Sequence, residues 1–115
     1  MAPDVDALLD AHDVVVVDYS ASWCAPCKAY SPKFARLERE MRRARPDAKV
    51  AFVSVDVDLQ QDEARAARAQ SVPTTIAWRR KRTIFGRVKR VEALRFSGDR
   101  SWNELLRTFH DLLSS

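Results

Sequence analysis

Cys24 and Cys27 are the only cysteines in the chain, and they stand three residues apart in Trp23-Cys24-Ala25-Pro26-Cys27. A disulfide exchanger needs one thiolate to attack and a second thiol near enough to release the mixed disulfide. The stretch from Ser20 to Cys24 reads as a short loop, and Ala25 to Ala44 as a long helix. The pair therefore sits at the mouth of a helix, where one turn brings the two sulfurs together. Cys24 falls at the helix N-terminus, where unpaired N–H groups and the macrodipole favour an anion. Cys27 lies one turn inside, more buried, and is expected to stay a thiol until it is needed. Pro26 enters the first turn at low cost, because its missing N–H would have no partner there. The competing chemistry is half of a zinc site. Tetrahedral zinc wants four ligands, and only His12 and His110, at opposite ends of the chain, remain to complete a set. No metal and no cofactor is expected.

The elements that must position this pair follow from the apolar pattern. Asp4 can cap a short helix with the stripe Val5, Leu8 and Leu9. Val14-Val15-Val16-Val17, with no polar alternation, reads as a central strand buried on both faces. In the long helix Tyr30, Phe34, Leu37 and Met41 share one face, and Pro32 is expected to kink it. Lys49 to Asp58 reads as a second strand and Leu59 to Ala69 as a helix of high propensity but little bulk. Val72-Pro73-Thr74 leads into a strand through Ile76 and Trp78, and Val91 to Phe96 forms another. These two make a long hairpin with its turn near Gly86. Ser101 and Glu104 form a capping box for a last helix with the stripe Trp102, Leu105, Leu106, Phe109, Leu112 and Leu113. The order predicts one α/β domain over residues 1–115: a three-layer sandwich with a mixed central sheet flanked by helices.

Composition bounds the function classes. The chain has 115 residues, 46% hydrophobic and 31% charged, which suits one ordinary hydrophobic core. No apolar run approaches the length of a membrane-spanning helix. Asp4, Asp6, Asp10 and Asp13 stand where a secretory leader would carry a basic region and an apolar run, so a reducing, cytoplasmic location is expected. The net charge of +4 is local: Arg79 to Arg90 holds seven basic residues and no acid, and the rest of the chain has 13 basic against 16 acidic residues. Three readings of residues 79–90 stay open. They are a solvated hairpin whose charges discourage edge pairing, a docking arm that binds polyanions weakly, or a nuclear-localisation-like signal that gives nuclear entry.

Val14 to Lys28, with Asp18 and Trp23-Cys24-Ala25-Pro26-Cys27, then Pro32, Val72-Pro73-Thr74 and Phe96-Ser97-Gly98, together resemble the thioredoxin family over nearly the whole chain. The resemblance implies a thioredoxin-like fold and a thiol–disulfide oxidoreductase that reduces protein disulfides and is recharged by a thioredoxin-reductase-like enzyme. It implies Cys24 as nucleophile, Cys27 as resolving thiol and Asp18 as the buried carboxylate that accepts the resolving proton. An Asp after four valines suits desolvation and a raised pKa; without the motif, a strand-end Asp that meets solvent or bonds to the loop backbone would be the preferred reading. The resemblance implies a cis peptide at Pro73, against the disulfide, where sequence alone would favour trans. Trp23, Ala25, Pro26, Val72 and Gly98 are implied as the surface on which a partner's extended segment docks.

Three departures stand out. Ala25 replaces the family's usual glycine, which should tune the reduction potential modestly. The residues ahead of the first helix, Met1 to Pro3, leave no room for the family's first strand, so Lys49–Asp58 becomes a sheet edge and a monomer or a weak homodimer is expected. The hairpin between Thr74 and Gly98 is longer than the family's. A specialised electron donor, tryparedoxin-like or peroxidase-reducing, and a non-enzymatic adaptor acting through the basic hairpin remain alternatives.

Overall fold

A computed structural model describes residues 2–114; Met1 and Ser115, the ends of the expected domain, lie outside them. The elements run α1 (Val5–Ala11), β1 (Val14–Ser20), α2 (Ala25–Ala44), β2 (Val50–Asp56), α3 (Gln61–Ala67), β3 (Thr74–Arg82), β4 (Val88–Ser97) and α4 (Trp102–Ser114). The sheet order is β2-β1-β3-β4, with β1 parallel to β2 and antiparallel to β3, and β3 antiparallel to β4. The sheet is mixed, as expected.

The valine run explains the layering. Val14 and Val16 face a core built with Tyr30, Phe34, Leu37 and Met41 of α2 and Leu105 and Phe109 of α4. Val15 and Val17 point the other way, into a core with Val5 and Leu9 of α1 and Ala67 of α3. A strand covered on both faces needs apolar residues at every position, not every second one. Helices on both faces give the three layers expected.

Local chemistry sets the element ends. The Asp4 carboxylate accepts from the Ala7 N–H at 3.1 Å and caps α1. The Ser101 hydroxyl accepts from the Glu104 N–H at 3.3 Å, the first bond of the expected capping box of α4, and the Glu104 carboxylate accepts from the Ser101 hydroxyl at 3.2 Å. α2 continues through Pro32, whose exposed position tolerates the missing N–H.

Two of the expected elements are shorter than their patterns. The strand over Lys49–Asp58 is confined to Val50–Asp56, because Asp56 Oδ1 accepts from the N–H groups of Asp58 and Leu59 and turns the chain. The helix over Leu59–Ala69 is confined to Gln61–Ala67, closed by Arg68 in the left-handed conformation (φ 55°). The hairpin strands, in contrast, are longer than expected. β3 takes in Arg79 to Arg82, and β4 starts at Val88, so most of the basic stretch is sheet.

Candidate active site

The C-terminal end of β1 delivers the chain, through Ala21, to the first turn of α2. Cys24 is the N-cap of that helix, and the Cys27 N–H donates to Cys24 Sγ at 3.2 Å. An N-cap side chain normally offers an oxygen to the N–H of the second or third helical residue; here a sulfur does. The two cysteines are joined by a disulfide, with Cα atoms 5.3 Å apart. Ala25 and Pro26 occupy the first two helical positions and are exposed. Cys24 is 4% exposed and Cys27 1%, in a small cluster with Ala21 beside Val57 and Val72. The expected order of burial holds, although Cys24 is itself well covered. A cleft of about 470 Å³ opens beside Cys27, lined by Ser20, Ala21, Ser22, Lys28 and Ser31 among others.

A second loop closes over the disulfide. The Val72–Pro73 peptide is cis, as the family resemblance implied and sequence preference alone did not. The Val72 carbonyl oxygen lies 3.6 Å from Cys24 Sγ, and Pro73 is buried. The Gly98 N–H donates to the Pro73 carbonyl at 2.8 Å. Gly98 adopts φ +84°, a conformation that side chains strain against, so glycine is the residue that makes this contact without strain. Thr74 Oγ1 donates to the Ser71 carbonyl at 2.7 Å and lies 3.1 Å from Ser97 Oγ. This hydroxyl cluster pins the loop to β4; it was missed in the sequence, where isolated Ser and Thr carry no such signal.

Trp23 is 70% exposed beside the disulfide. Its indole N–H donates to Asp58 Oδ2 at 2.8 Å. Asp58 is the other functional neighbour that sequence reasoning missed, since a contact across 35 positions leaves no local trace.

Asp18 lies in β1 beneath α2 and is fully buried, and neither carboxylate oxygen has a hydrogen-bond partner among the described residues. Burial alone pushes its pKa up to about 6. The orphaning has a structural cause. Thr75 stands directly opposite Asp18 on β3, but its hydroxyl donates to Tyr30 Oη at 2.8 Å. Tyr30, three residues on from Cys27, has its own pKa raised mainly by burial, with the Asp18 charge adding to it. The carboxylate thus sits under the first turns of the helix that carries the cysteines.

Among the described residues no group of three or more His, Cys, Asp and Glu side chains is placed to hold a metal. His12 Nδ1 lies 2.9 Å from the Leu8 carbonyl, and His110 is on α4. Chemically, the site can take up two electrons by opening one disulfide to a dithiol, hold a sulfur anion at a helix N-terminus, and take up a proton on a desolvated carboxylate.

A Cys-x-x-Cys disulfide capping a helix, faced by a cis-proline loop on a mixed sheet between helical layers, defines the thioredoxin-like class. The family model described as Thioredoxin matches residues 5–105, and the chain belongs to the thioredoxin family. Among curated relatives it is 44% identical over 69 residues to a thioredoxin of Geodia cydonium, covering 59% of each chain. It is 44% identical over 75 residues to thioredoxin H2-1 of Oryza sativa subsp. japonica, covering 62% of this chain and 50% of the relative. The chain thus spans between half and two thirds of the length of these relatives. A solved mutant thioredoxin from Halobacterium salinarum superposes with a TM-score of 0.71 at 23% identity, over 95% of this chain and 82% of that one, and bears on the fold alone.

Proposed function

We propose that this chain is a thiol–disulfide oxidoreductase that reduces disulfides in other proteins, acting as a single-domain unit. The observation that carries the reading is the Cys24–Cys27 pair capping α2, with the Cys27 N–H on Cys24 Sγ. In the reduced protein that N–H and the helix N-terminus favour the Cys24 thiolate. Cys24 attacks a substrate disulfide, and one substrate sulfur leaves as a thiolate. Cys27 gives its proton to Asp18 and attacks Cys24 Sγ, which frees the substrate dithiol and re-forms the Cys24–Cys27 disulfide. A dithiol reductant, supplied by a thioredoxin-reductase-like enzyme, returns the pair to the reduced state. Trp23, Ala25, Pro26, Val72 and Gly98, with Pro73 behind them, form the surface for the substrate's extended segment. Their common position around the disulfide supports this role.

Asp18 favours an enzyme over a non-enzymatic adaptor. A carboxylate held buried without a partner lowers stability at neutral pH and has a use in proton transfer. An exchange pair as the chain's whole cysteine content suits a reducing compartment, the cytoplasm, with nuclear entry through the basic stretch. The outer side of β2, which pairs with no strand among the described residues, favours weak self-association. Polyanion binding falls to the hairpin cations that have no acidic partner. Among the described residues no helix is long and apolar enough to cross a membrane.

Insulin reduction by dithiothreitol, followed by turbidity, tests the activity. Sub-stoichiometric protein should shorten the lag before precipitation, and Cys24→Ser should abolish the effect. An unchanged lag with the folded, reduced wild-type protein would leave an adaptor.

A further inference from the structure

Past Arg79 the β3–β4 ribbon has, among the described residues, no other strand beside it. β1 pairs with β3 only as far as Val14 opposite Arg79, while β3 and β4 continue through Arg80 opposite Arg90, Lys81 opposite Lys89 and Arg82 opposite Val88. Directly opposed like charges repel across a sheet, and this arm holds two such pairs. The fold treats them differently. Arg80 is bound to Asp13, and Arg90 to both Asp6 and Glu63 while its guanidinium lies 4.9 Å above the Trp78 ring. Lys81 and Lys89, on the opposite face of the ribbon, are exposed and have no acidic partner among the described residues. Nor has Arg87. Among the described residues Arg82 reaches only the Gly86 carbonyl, at 3.3 Å.

The apex between these cations is apolar. The Gly86 N–H donates to the Thr83 carbonyl at 3.0 Å, and the Thr83 N–H to the Arg87 carbonyl at 2.8 Å. Gly86 takes the left-handed conformation (φ +78°) that such a loop requires. Turn centres usually carry Gly, Pro, Asn, Asp or Ser; this one displays Ile84 and Phe85, 94% and 86% exposed. Four unneutralised cations therefore flank two protruding apolar side chains.

We infer that the hairpin tip is an anchor for an anionic lipid surface, with Ile84 and Phe85 entering the interfacial layer and Lys81, Arg82, Arg87 and Lys89 resting on the headgroups. The inference rests on the reading that these cations bind polyanions, and adds the occupant. Charge alone would suit a nucleic acid or an acidic protein equally well. An apolar apex flanked by cations on both strands is complementary to a surface that is anionic outside and apolar beneath. The geometry also leaves the redox site free. The eight residue steps of β3 from Thr74, beside the disulfide loop, to Arg82 span about 26 Å, so a protein held by the tip turns its disulfide away from the membrane.

Co-sedimentation of the full-length protein with sucrose-loaded vesicles tests this, alongside retention on heparin. The wild type should bind vesicles of phosphatidylcholine with a minority of phosphatidylserine, and not phosphatidylcholine alone. Phe85→Ser should lower the partition coefficient about tenfold, as expected for losing a buried aromatic side chain. Lys81→Gln and Lys89→Gln should each lower it about fivefold. Heparin retention should weaken with the lysine variants and stay unchanged with Phe85→Ser. Unaltered urea midpoints certify the fold of each variant. Absence of vesicle binding while heparin still retains the protein overturns the lipid assignment, as does vesicle binding indifferent to Ile84→Ser and Phe85→Ser. The assignment also falls if a DNA duplex or an acidic peptide is captured in a manner sensitive to Phe85 while vesicles are not. Loss of heparin retention by the wild type at low salt would show that the polyanion reading itself had failed.

Discussion

Replacing Asp18 by Asn converts a buried charge into a neutral group of equal shape. With a folded pKa of about 6 against an ordinary 3.8, the shift is worth about 3 kcal/mol at 1.36 kcal/mol per pKa unit. The sign follows from linkage. The folded protein binds this proton more tightly than the unfolded chain, so Asp18 is fully tolerated below pH 3.8 and its cost grows as pH rises towards 6. Above that, the cost is constant. Asn carries no such dependence, and every other titrating group is common to both proteins. The difference in unfolding free energy should therefore be near zero at pH 3.5 and reach about 3 kcal/mol in favour of Asp18→Asn at pH 8. Urea unfolding of the oxidised proteins across that range measures it. A pH-independent offset is expected to be small, because the protonated carboxyl and the amide both leave a buried donor unpaired. The slope is therefore the diagnostic. A flat difference, or a variant less stable than the wild type at pH 8, would refute the desolvation argument. In the reduced protein at pH 7 the same variant should slow release from the mixed disulfide by about a hundredfold, the low end of general-base assistance.

Cys24→Ser should abolish disulfide reduction, whereas Cys27→Ser should accumulate a mixed disulfide on Cys24, read by mass spectrometry without reductant; trapping by Cys24→Ser instead reverses the roles. Arg90→Met should cost about 2 kcal/mol in urea unfolding, because it leaves Glu63, whose side chain is 14% exposed, with only the Tyr19 hydroxyl at 2.8 Å. Arg87→Met, on the exposed loop, should change stability by less than about 0.5 kcal/mol. Sedimentation velocity over a range of concentrations should show weak self-association that Val53→Lys suppresses; a wild type that stays monomeric at high concentration removes edge pairing along β2.

What the sequence made legible was whatever is local and periodic. The valine run, the α2 and α4 stripes and the Ser101–Glu104 box each report their element through spacings of a few residues. The Cys-x-x-Cys placement is of the same kind. The ends of β2 and α3 were overextended because Asp56 ends the strand with its side-chain oxygen and Arg68 ends the helix with a left-handed backbone, neither of which hydropathy encodes. The contacts around the disulfide, Trp23 to Asp58 and the Ser71, Thr74 and Ser97 cluster, join segments far apart in the chain and became visible only in three dimensions. The basic stretch was legible as charge but not as arrangement. Which of its cations the fold neutralises depends on Asp6 of α1, Asp13 ahead of β1 and Glu63 of α3, which lie up to 84 positions away.

β2 pairs with β1 on one side and, among the described residues, with no strand on the other. In a parallel ladder successive amides point to opposite sides, so a strand with a single neighbour alternates between bonded and solvent-facing N–H groups. In deuterated solvent the amides of Val50 to Asp56 should then exchange as a sawtooth, slow and fast in turn, while β1, paired on both sides, exchanges uniformly slowly. The fast positions form a residue-resolved gauge of whatever lies against that edge. A strand from another molecule would slow every second amide and leave its neighbours as they were, marking the register of the encounter on the chain.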